Sequence, residues 1–203
     1  MSLSKLSESS LRLLNALESK KIILAKDLDS LGIDRRAPSA LEKEGHIYSL
    51  ARGIYIRSDE ISPWTNYWAL AAHTQEAVFC LYSALVIHGV TTQHAHSVWC
   101  EMPRGVRKPS MPNIDVEYIT ATPWIHNLGV KTVRLDQIPV RVTTLERTVV
   151  DCFRLRRVVG MEVALEALKE VIGGSLVKVE DLENMAKKLR MYNVMKPYIE
   201  AII

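Results

Sequence analysis

Hydrophobic residues in the first part of the chain recur at helical intervals. Leu11, Leu14 and Leu17 are three positions apart, so residues 9–20 are predicted to form a helix that buries one face. Residues 25–31 fit a second, shorter helix, and the glycine that follows it suits a left-handed C-cap. The chain is therefore predicted to open with two helices joined by a short turn.

A third helix is predicted from Asp34, a capping residue, to Gly45. Pro38 falls in its first turn, where a missing backbone N–H costs least. After this helix, residues 47–56 alternate between apolar and other side chains around a turn at residues 51–53, as in a two-stranded hairpin. Three helices followed by a hairpin are typical of a winged helix-turn-helix, which is a DNA-binding domain.

Basic residues cluster on the predicted third helix and hairpin. In helix-turn-helix domains the N-terminal residues of the second helix of the motif reach base edges in the major groove. Arg35 and Arg36 are predicted to contact bases, because a guanidinium can bond guanine O6 and N7 together. Ser39 belongs to the same helix, and Lys43 and Arg52 are assigned to phosphates, with Arg52 at the hairpin tip. The alternative is that all five are ordinary solvated side chains.

The hydrophobic pattern breaks at residues 58–62, which predicts a boundary between domains at residues 1–60 and 61–203. Ser62 and Pro63 are predicted to begin a new helix. Strands of a small, mainly antiparallel sheet are predicted at residues 97–102, 113–120, 130–135 and 138–143. Helical patterns cover residues 79–88, 161–172, 180–189 and 192–203. The predicted fold class is α+β, a winged helix-turn-helix followed by a larger α+β domain.

Composition agrees with a globular protein. The 203 residues are 48% hydrophobic and carry a net charge of +3, so binding to nucleic acid would depend on local clusters of charge. No apolar run is long enough to span a bilayer, and we expect a cytoplasmic protein without a membrane partner. Cys80, Cys100 and Cys152 are odd in number and widely separated, which favours reduced, buried thiols.

Motifs of the common enzyme classes are absent from the sequence. It contains no HExxH, Walker A, GxSxG or dinucleotide-binding glycine pattern, so we expect no enzymatic activity, no catalytic residues and no cofactor. His94 and His96 alternate along the chain, as do Asp115 and Glu117, and the four together form a metal-binding alternative. Because such spacing is only weak evidence, we expect no metal site.

Three segments of the sequence resemble one protein family. They are LEKEGHIYSLARGIYI at residues 41–56, ALVIHGV at 84–90 and VTTLERTVVDCFR at 142–154. The first is similar to the family's recognition helix and wing, and the third to its T-x-x-E-R-T-x-x-D signature, which is the most specific of the three. The chain resembles the AbiEi-like antitoxins of type IV toxin–antitoxin and abortive-infection systems, and the resemblance covers most of its length.

This resemblance implies two activities. Such antitoxins repress their own promoters by binding inverted repeats in double-stranded DNA through the N-terminal winged helix. The C-terminal domain counteracts a cognate AbiEii-like nucleotidyltransferase toxin without forming a stable complex with it. The residues that match the family's DNA-facing region are Arg35, Arg36, Ser39, Lys43 and Arg52.

Two further basic groups are candidates for contacts with DNA or a partner. The alternative for both groups is an ordinary solvated surface. The candidate residues are Arg104, Arg107 and Lys108 in the first group, and Arg154, Arg156 and Arg157 in the second.

The third segment has a physical feature that favours a structural role. Thr143 and Glu146 are spaced as a capping box at the start of a helix. Arg147 and Asp151 share a face of that helix, but with the acid after the base, an order that contributes little when the pair is exposed. We therefore expect Arg147 or Asp151 to be at least partly buried and to hold the helix to a strand or loop through charge-assisted bonds.

Two matters remain open at the level of sequence. A ligand-responsive winged-helix repressor unrelated to any toxin is an alternative to the antitoxin, with the α+β domain holding an effector. Inverted repeats require two copies of the chain, yet no coiled-coil heptads dictate a dimer. We expect a monomer in solution that binds DNA cooperatively.

Overall fold

The computed structural model describes residues 6–91, 96–136 and 138–203. The fold is α+β, with one three-stranded antiparallel sheet and one five-stranded mixed sheet. The chain divides into two compact units. Unit 1 comprises Met1–Gln75, Pro109–Asp115 and Arg134–Pro139, and unit 2 comprises Glu76–Lys108, Val116–Val133 and Val140–Ile203.

Unit 1 begins with helix α1, Glu8–Ser19, one residue earlier than the sequence predicted. The hydroxyl of Ser7 accepts a hydrogen bond from the Ser10 N–H and caps the helix. Leu13 and Leu17, four positions apart, are the leucines buried on its inner face, while Leu11 is 39% exposed. The buried stripe therefore runs through residues 13 and 17, which are four positions apart, whereas the predicted stripe ran through residues 11, 14 and 17, which are three apart.

The predicted second helix consists of two 3₁₀ turns, Ala25–Asp27 and Asp29–Leu31. Gly32 follows in the left-handed conformation at φ 64°, as its position indicated. Helix α2, Ala37–Lys43, begins after a turn in which the Asp34 carboxylate accepts a hydrogen bond from a backbone N–H at 2.7 Å. This turn sets the start of α2 three residues after Asp34.

A three-stranded antiparallel sheet completes the first part of unit 1. Strands β2, Ile47–Ala51, and β3, Ile54–Arg57, form the predicted hairpin, and β1, Ile23–Leu24, pairs with the other edge of β3. The isoleucines of β1, β2 and β3 supply buried side chains to the core of this unit. The short strand β1 was not predicted from the sequence.

Unit 1 continues beyond the predicted boundary at residue 60. Helix α3, Thr65–His73, starts three residues after Ser62, whose hydroxyl accepts a hydrogen bond from the Trp64 N–H instead of capping a helix that starts at Pro63. Trp68 is buried on α3, and its indole N–H donates to the carbonyl of Leu135 at 3.0 Å. The two residues are 67 positions apart, so this unit depends on contacts that are distant in sequence.

The five-stranded sheet is mixed, whereas the sequence predicted a mainly antiparallel one. Its strands in chain order are β4, Val78–Phe79; β5, Val98–Pro103; β6, Val116–Ala121; β7, Val130–Leu135; and β8, Ile138–Thr143. They lie in the order β6-β5-β4-β8-β7, with β5 parallel to β6 and β4 parallel to β8. Alternation along a strand identifies its faces but not the direction of its neighbours, which explains the error.

Helices of unit 2 surround one hydrophobic core. They are α4, Leu81–Ile87; α5, Pro123–Asn127; α6, Leu145–Arg154; α7, Arg156–Val159; α8, Met161–Gly173; α9, Val179–Lys188; and α10, Tyr192–Glu200. The predicted helix at residues 79–88 is shorter, because residue 79 belongs to β4. The three cysteines are free and buried. Within the described ranges, no helix has both the length and the apolar character needed to cross a membrane.

Candidate nucleic-acid interface and buried ion network

Helix α2 and its N-cap residue present an exposed polar face that contains three of the predicted DNA-contacting residues. Arg36, Ser39 and Lys43 are exposed, at spacings of three and four that place them on one side of the helix. Ala37 and Leu41 are buried on the opposite side. The apolar side of the helix therefore fixes the direction in which the polar side faces.

Arg35 precedes α2 and is paired with an acid. Its Nε donates to Oδ1 of Asp29 at 3.2 Å, and its Nη2 donates to Oδ2 at 2.5 Å. Both side chains are mostly exposed, 75% for Arg35 and 61% for Asp29. The side-chain hydrogen bond from Arg35 lowers the pKa of Asp29, and the same bond raises the pKa of Arg35. Arg35 is thus oriented by a two-point ion pair.

Arg52 is exposed in the turn between β2 and β3, and the next residue anchors that turn. Gly53 has a φ of 74°, and its carbonyl accepts a hydrogen bond from the Ala25 N–H at 2.8 Å. A Cβ at Gly53 would lie 2.9 Å from the Cβ of Ala25, so a side chain has no room at this position. Arg52 therefore lies in a turn that is anchored to Ala25.

These residues form an exposed set with the donors that nucleic acid recognition requires. Four of them are cations and the fifth is a serine hydroxyl, and all lie in unit 1. Guanidinium and ammonium groups bond phosphate oxygens, and guanidinium also bonds base edges. The set comprises Arg35, Arg36, Ser39, Lys43 and Arg52, and it is called the basic face below.

The second predicted group follows strand β5. Arg104, Arg107 and Lys108 are exposed in the turn after that strand. The ammonium of Lys108 lies 5.6 Å from the centroid of the Tyr118 ring, within the range of a cation–π contact. This group keeps its charges on the surface of unit 2.

The third predicted group is used largely within the protein. The Nε of Arg154 donates to Oδ1 of Asp151 at 2.8 Å, and Nη1 of Arg156 donates to the carbonyl of Phe153 at 2.9 Å. Arg157 is exposed on α7. Two of the three arginines therefore stabilise the end of α6, where the backbone carbonyls attract positive charge.

Arg147 is fully buried and forms the centre of an ion network in unit 2. Its Nε donates to Oδ2 of Asp151 at 2.6 Å, and its Nη2 donates to Oε2 of Glu101 on β5 at 2.9 Å. Its Nη1 donates to the carbonyls of Ile125 and Leu128, each at 2.6 Å. The arginine joins α6 to a strand and to α5 with its adjoining loop, the arrangement expected from the order of Arg147 and Asp151 in the sequence.

Two further buried groups were not predicted from the sequence: Glu101, which bonds Arg147, and His126, which lies beside Glu101. The Nδ1 of His126 lies 3.4 Å from Oε1 of Glu101, and both side chains are about 98–99% buried. Burial raises the pKa of Glu101 to about 7, although the charge of Arg147 opposes the rise. Burial, followed by the charge of Arg141, lowers the pKa of His126. Glu101 and Arg147 are 46 positions apart, and no local pattern relates them.

The start of α6 differs from the predicted capping box. Thr144, not Thr143, is the N-cap, and its hydroxyl accepts a hydrogen bond from the Arg147 N–H at 3.4 Å. Thr143 is still part of β8, and its hydroxyl lies 2.7 Å from that of Thr148. Glu146 is half-buried in the first turn of α6, one residue short of the position that a box starting at Thr144 requires.

The metal-binding alternative finds no support among the residues that the structure describes. Across residues 6–91, 96–136 and 138–203, no group of three or more His, Cys, Asp or Glu side chains is placed to hold a metal ion. His94, one of its four residues, lies outside the described residues.

An apolar groove lies beside the hairpin within unit 1. Tyr48, Ile56, Ile61 and Ile114 contribute to its lining, and its volume is about 500 Å³. Tyr48 is 50% exposed and Ile61 is 66% exposed. Its volume lies within the range of about 300–1,000 Å³ typical of small-molecule sites.

Comparison with known proteins gives a likeness of fold. No protein-family model and no curated protein matches the chain. The crystal structure of the Rv2827c protein from Mycobacterium tuberculosis is similar, with a TM-score of 0.63 and 15% sequence identity, over 90% of this chain and 72% of that chain. At this identity the likeness concerns architecture alone. This chain has a fold similar to that of Rv2827c.

Proposed function

We propose that α1, the 3₁₀ turns, α2 and the β2–β3 hairpin form a winged helix-turn-helix that binds double-stranded DNA. The observation that carries this proposal is the basic face, because it combines an exposed helix surface with a cation in an anchored hairpin turn. A recognition helix in the major groove and a wing on the backbone use such an arrangement. In this proposal Arg35 and Arg36 contact bases, while Lys43 and Arg52 contact phosphates.

We further propose that the chain is a type IV antitoxin that represses its own promoter at inverted repeats. The support is the resemblance of residues 41–56, 84–90 and 142–154 to AbiEi-like antitoxins. The remainder of the chain counteracts a cognate AbiEii-like nucleotidyltransferase toxin without a stable complex. Two copies of a monomer occupy the two half-sites and bind cooperatively, in the cytoplasm, where the promoter is located.

Fluorescence anisotropy with the DNA upstream of the gene tests repression. The full chain is titrated with this fragment and with a random duplex at several salt concentrations. Lys43→Ala and Arg52→Ala should each weaken binding to both duplexes and reduce the salt slope by about one phosphate equivalent. Lys169→Ala, a change of an exposed lysine on α8, is the control and should leave the slope unchanged. Equal affinity of the wild-type chain for both duplexes would contradict the proposal.

Co-expression with the product of the adjacent gene tests the antitoxin activity. Growth is scored for the full chain and for an Arg36→Ala/Lys43→Ala variant. Point substitutions are preferable to deletion of residues 1–60, because unit 1 extends to Gln75 and a truncation would disrupt it. The double variant should lose repression and retain protection. Loss of protection, with the variant still folded, would show that the two activities are not separable.

A second candidate function is a ligand-responsive repressor, and the groove beside the hairpin favours it. A ligand bound against Tyr48 and Ile61 would contact the strand that carries the proposed wing. Its test is release of the bound promoter fragment by a small apolar molecule in the wild type but not in an Ile61→Gln variant. A nucleotidyltransferase gene next to this one favours the antitoxin, and a metabolic operon favours the ligand-responsive repressor.

A further inference from the structure

Among the described residues, the pairing between Arg35 and Asp29 leaves one edge of the guanidinium without a bonded partner. A guanidinium has two edges that each carry a parallel pair of N–H donors, one formed by Nε and Nη2 and the other by Nη1 and Nη2. Asp29 occupies the first edge with both of its oxygens. The second edge retains two donors, which match the O6 and N7 acceptors of guanine.

We propose that Asp29 is a specificity-determining residue of the DNA interface, because it fixes Arg35 so that the free Nη1/Nη2 edge selects guanine. This inference rests on the proposed DNA binding by the basic face. Asp29 lies in the second 3₁₀ turn, and Gly32 and a short loop connect it to Arg35. Asp29 thus acts on DNA through Arg35 and is a positioning residue.

The pair also reduces the affinity of Arg35 for phosphate. A free arginine beside a duplex binds any nearby phosphate, which adds affinity for all sequences alike. The carboxylate of Asp29 places a negative charge beside the Nε/Nη2 edge of the Arg35 guanidinium and thereby opposes non-specific contact with phosphate. Removing Asp29 should therefore lower discrimination between bases and maintain or increase affinity for random DNA.

Binding of the full chain to a set of promoter duplexes, each with one base pair changed, tests this role. The wild type should lose affinity when the guanine under Arg35 is changed, and Asp29→Ala should reduce that discrimination by about tenfold, within the range for one bidentate base contact. Its affinity for a random duplex should stay the same or increase. Asp29→Glu retains two carboxylate oxygens and should recover part of the discrimination.

Two further variants control for charge and for indirect effects. Asp27→Asn removes a nearby acid that is not bonded to Arg35 and should leave discrimination unchanged. In an Arg35→Ala background, Asp29→Ala should have no further effect on discrimination, because the residue through which it acts is absent. Thermal melting of each variant should match the wild type, since the pair lies on the surface.

The outcomes separate this inference from the proposed function. A wild type that prefers its promoter, together with an Asp29→Ala variant that keeps full base discrimination, would overturn the role of Asp29 alone. A wild type that binds its promoter and random DNA equally would overturn both. An equal loss of affinity for every duplex in Asp29→Ala would show that Asp29 supports the fold of the interface and does not select a base.

Discussion

Replacing Arg147 by methionine should destabilise unit 2 strongly. The guanidinium donates to two carboxylates, on Glu101 and Asp151, and to two backbone carbonyls, on Ile125 and Leu128. Methionine keeps the packing of the stem but leaves these acceptors without their donor. Removing one partner of a buried ion pair costs about 3–5 kcal/mol, a large fraction of the total stability of about 5–15 kcal/mol typical of a domain.

Urea unfolding of the full chain, followed by far-UV circular dichroism, measures this loss. The helices of unit 2 carry much of the signal, so their transition should move to lower urea. Arg157→Met is the matched control, because this exposed arginine lies on the neighbouring α7, and such a change is expected to stay within about 0.5 kcal/mol. An Arg147→Met/Glu101→Gln variant should recover part of the loss, because it also removes a buried charge.

Two results would refute this reasoning. An Arg147→Met variant as stable as Arg157→Met would mean that the four bonds of the guanidinium contribute no net stability. A double variant less stable than Arg147→Met would mean that the charge of Glu101 is not the source of the cost. Either result would leave the buried position of Arg147 to be explained by some property other than stability.

Three further predictions concern pH and backbone geometry. Glu101 has a folded-state pKa of about 7 against an ordinary 4.5, so its stabilising contribution is complete below pH 4.5 and is lost as the pH rises to about 7. At about 1.4 kcal/mol per pH unit, the stability of Glu101→Gln relative to the wild type should increase by about 3 kcal/mol between pH 4.5 and 7. Urea midpoints of both proteins at each pH measure this change, and a stability difference that does not vary with pH would contradict it. Gly129→Ala should lower the melting temperature, because φ is 57° and the new Cβ would lie 3.0 Å from that of Arg147; an unchanged melting temperature would show that the backbone can adjust. Gly53→Ala should cost more stability than Gly45→Ala, since both glycines have a positive φ but only at Gly53 would a Cβ meet a neighbouring atom; equal costs would mean that φ alone matters.

Local patterns in the sequence predicted much of the secondary structure. Residues 130–135 and 138–143 are strands within the predicted limits, and helices follow at Met161–Gly173 and Val179–Lys188, within one residue of the predicted ends. The predicted helix at residues 25–31 became two 3₁₀ turns. Such short segments contain too few residues for periodicity to distinguish one kind of turn from another.

Features that depend on distant residues could not be predicted. Strand β4 consists of two residues whose backbones pair with residues 100 and 101 on one side and 141 and 142 on the other, so no local signal marks it as a strand. The direction of β5 relative to β6 is likewise set by the path of the chain between them. Burial of Arg147 or Asp151 was predicted from the order of the two residues, whereas the bond between Arg147 and Glu101 required the fold.

Contacts with residues distant in sequence also determine how the charged residues of the T-x-x-E-R-T-x-x-D segment are used. Arg147 and Asp151 are buried, and their charges are directed to each other, to Glu101 and to Arg154. Side chains engaged in this way are not available to recognise another molecule, so they contribute to the stability of unit 2. Under the proposed antitoxin function, the residues that act directly on a toxin are therefore expected among the exposed side chains of this unit, such as Arg157. Because a buried arginine cannot lose its charge, replacing Asp151 alone would leave the guanidinium of Arg147 with one carboxylate fewer and should destabilise unit 2.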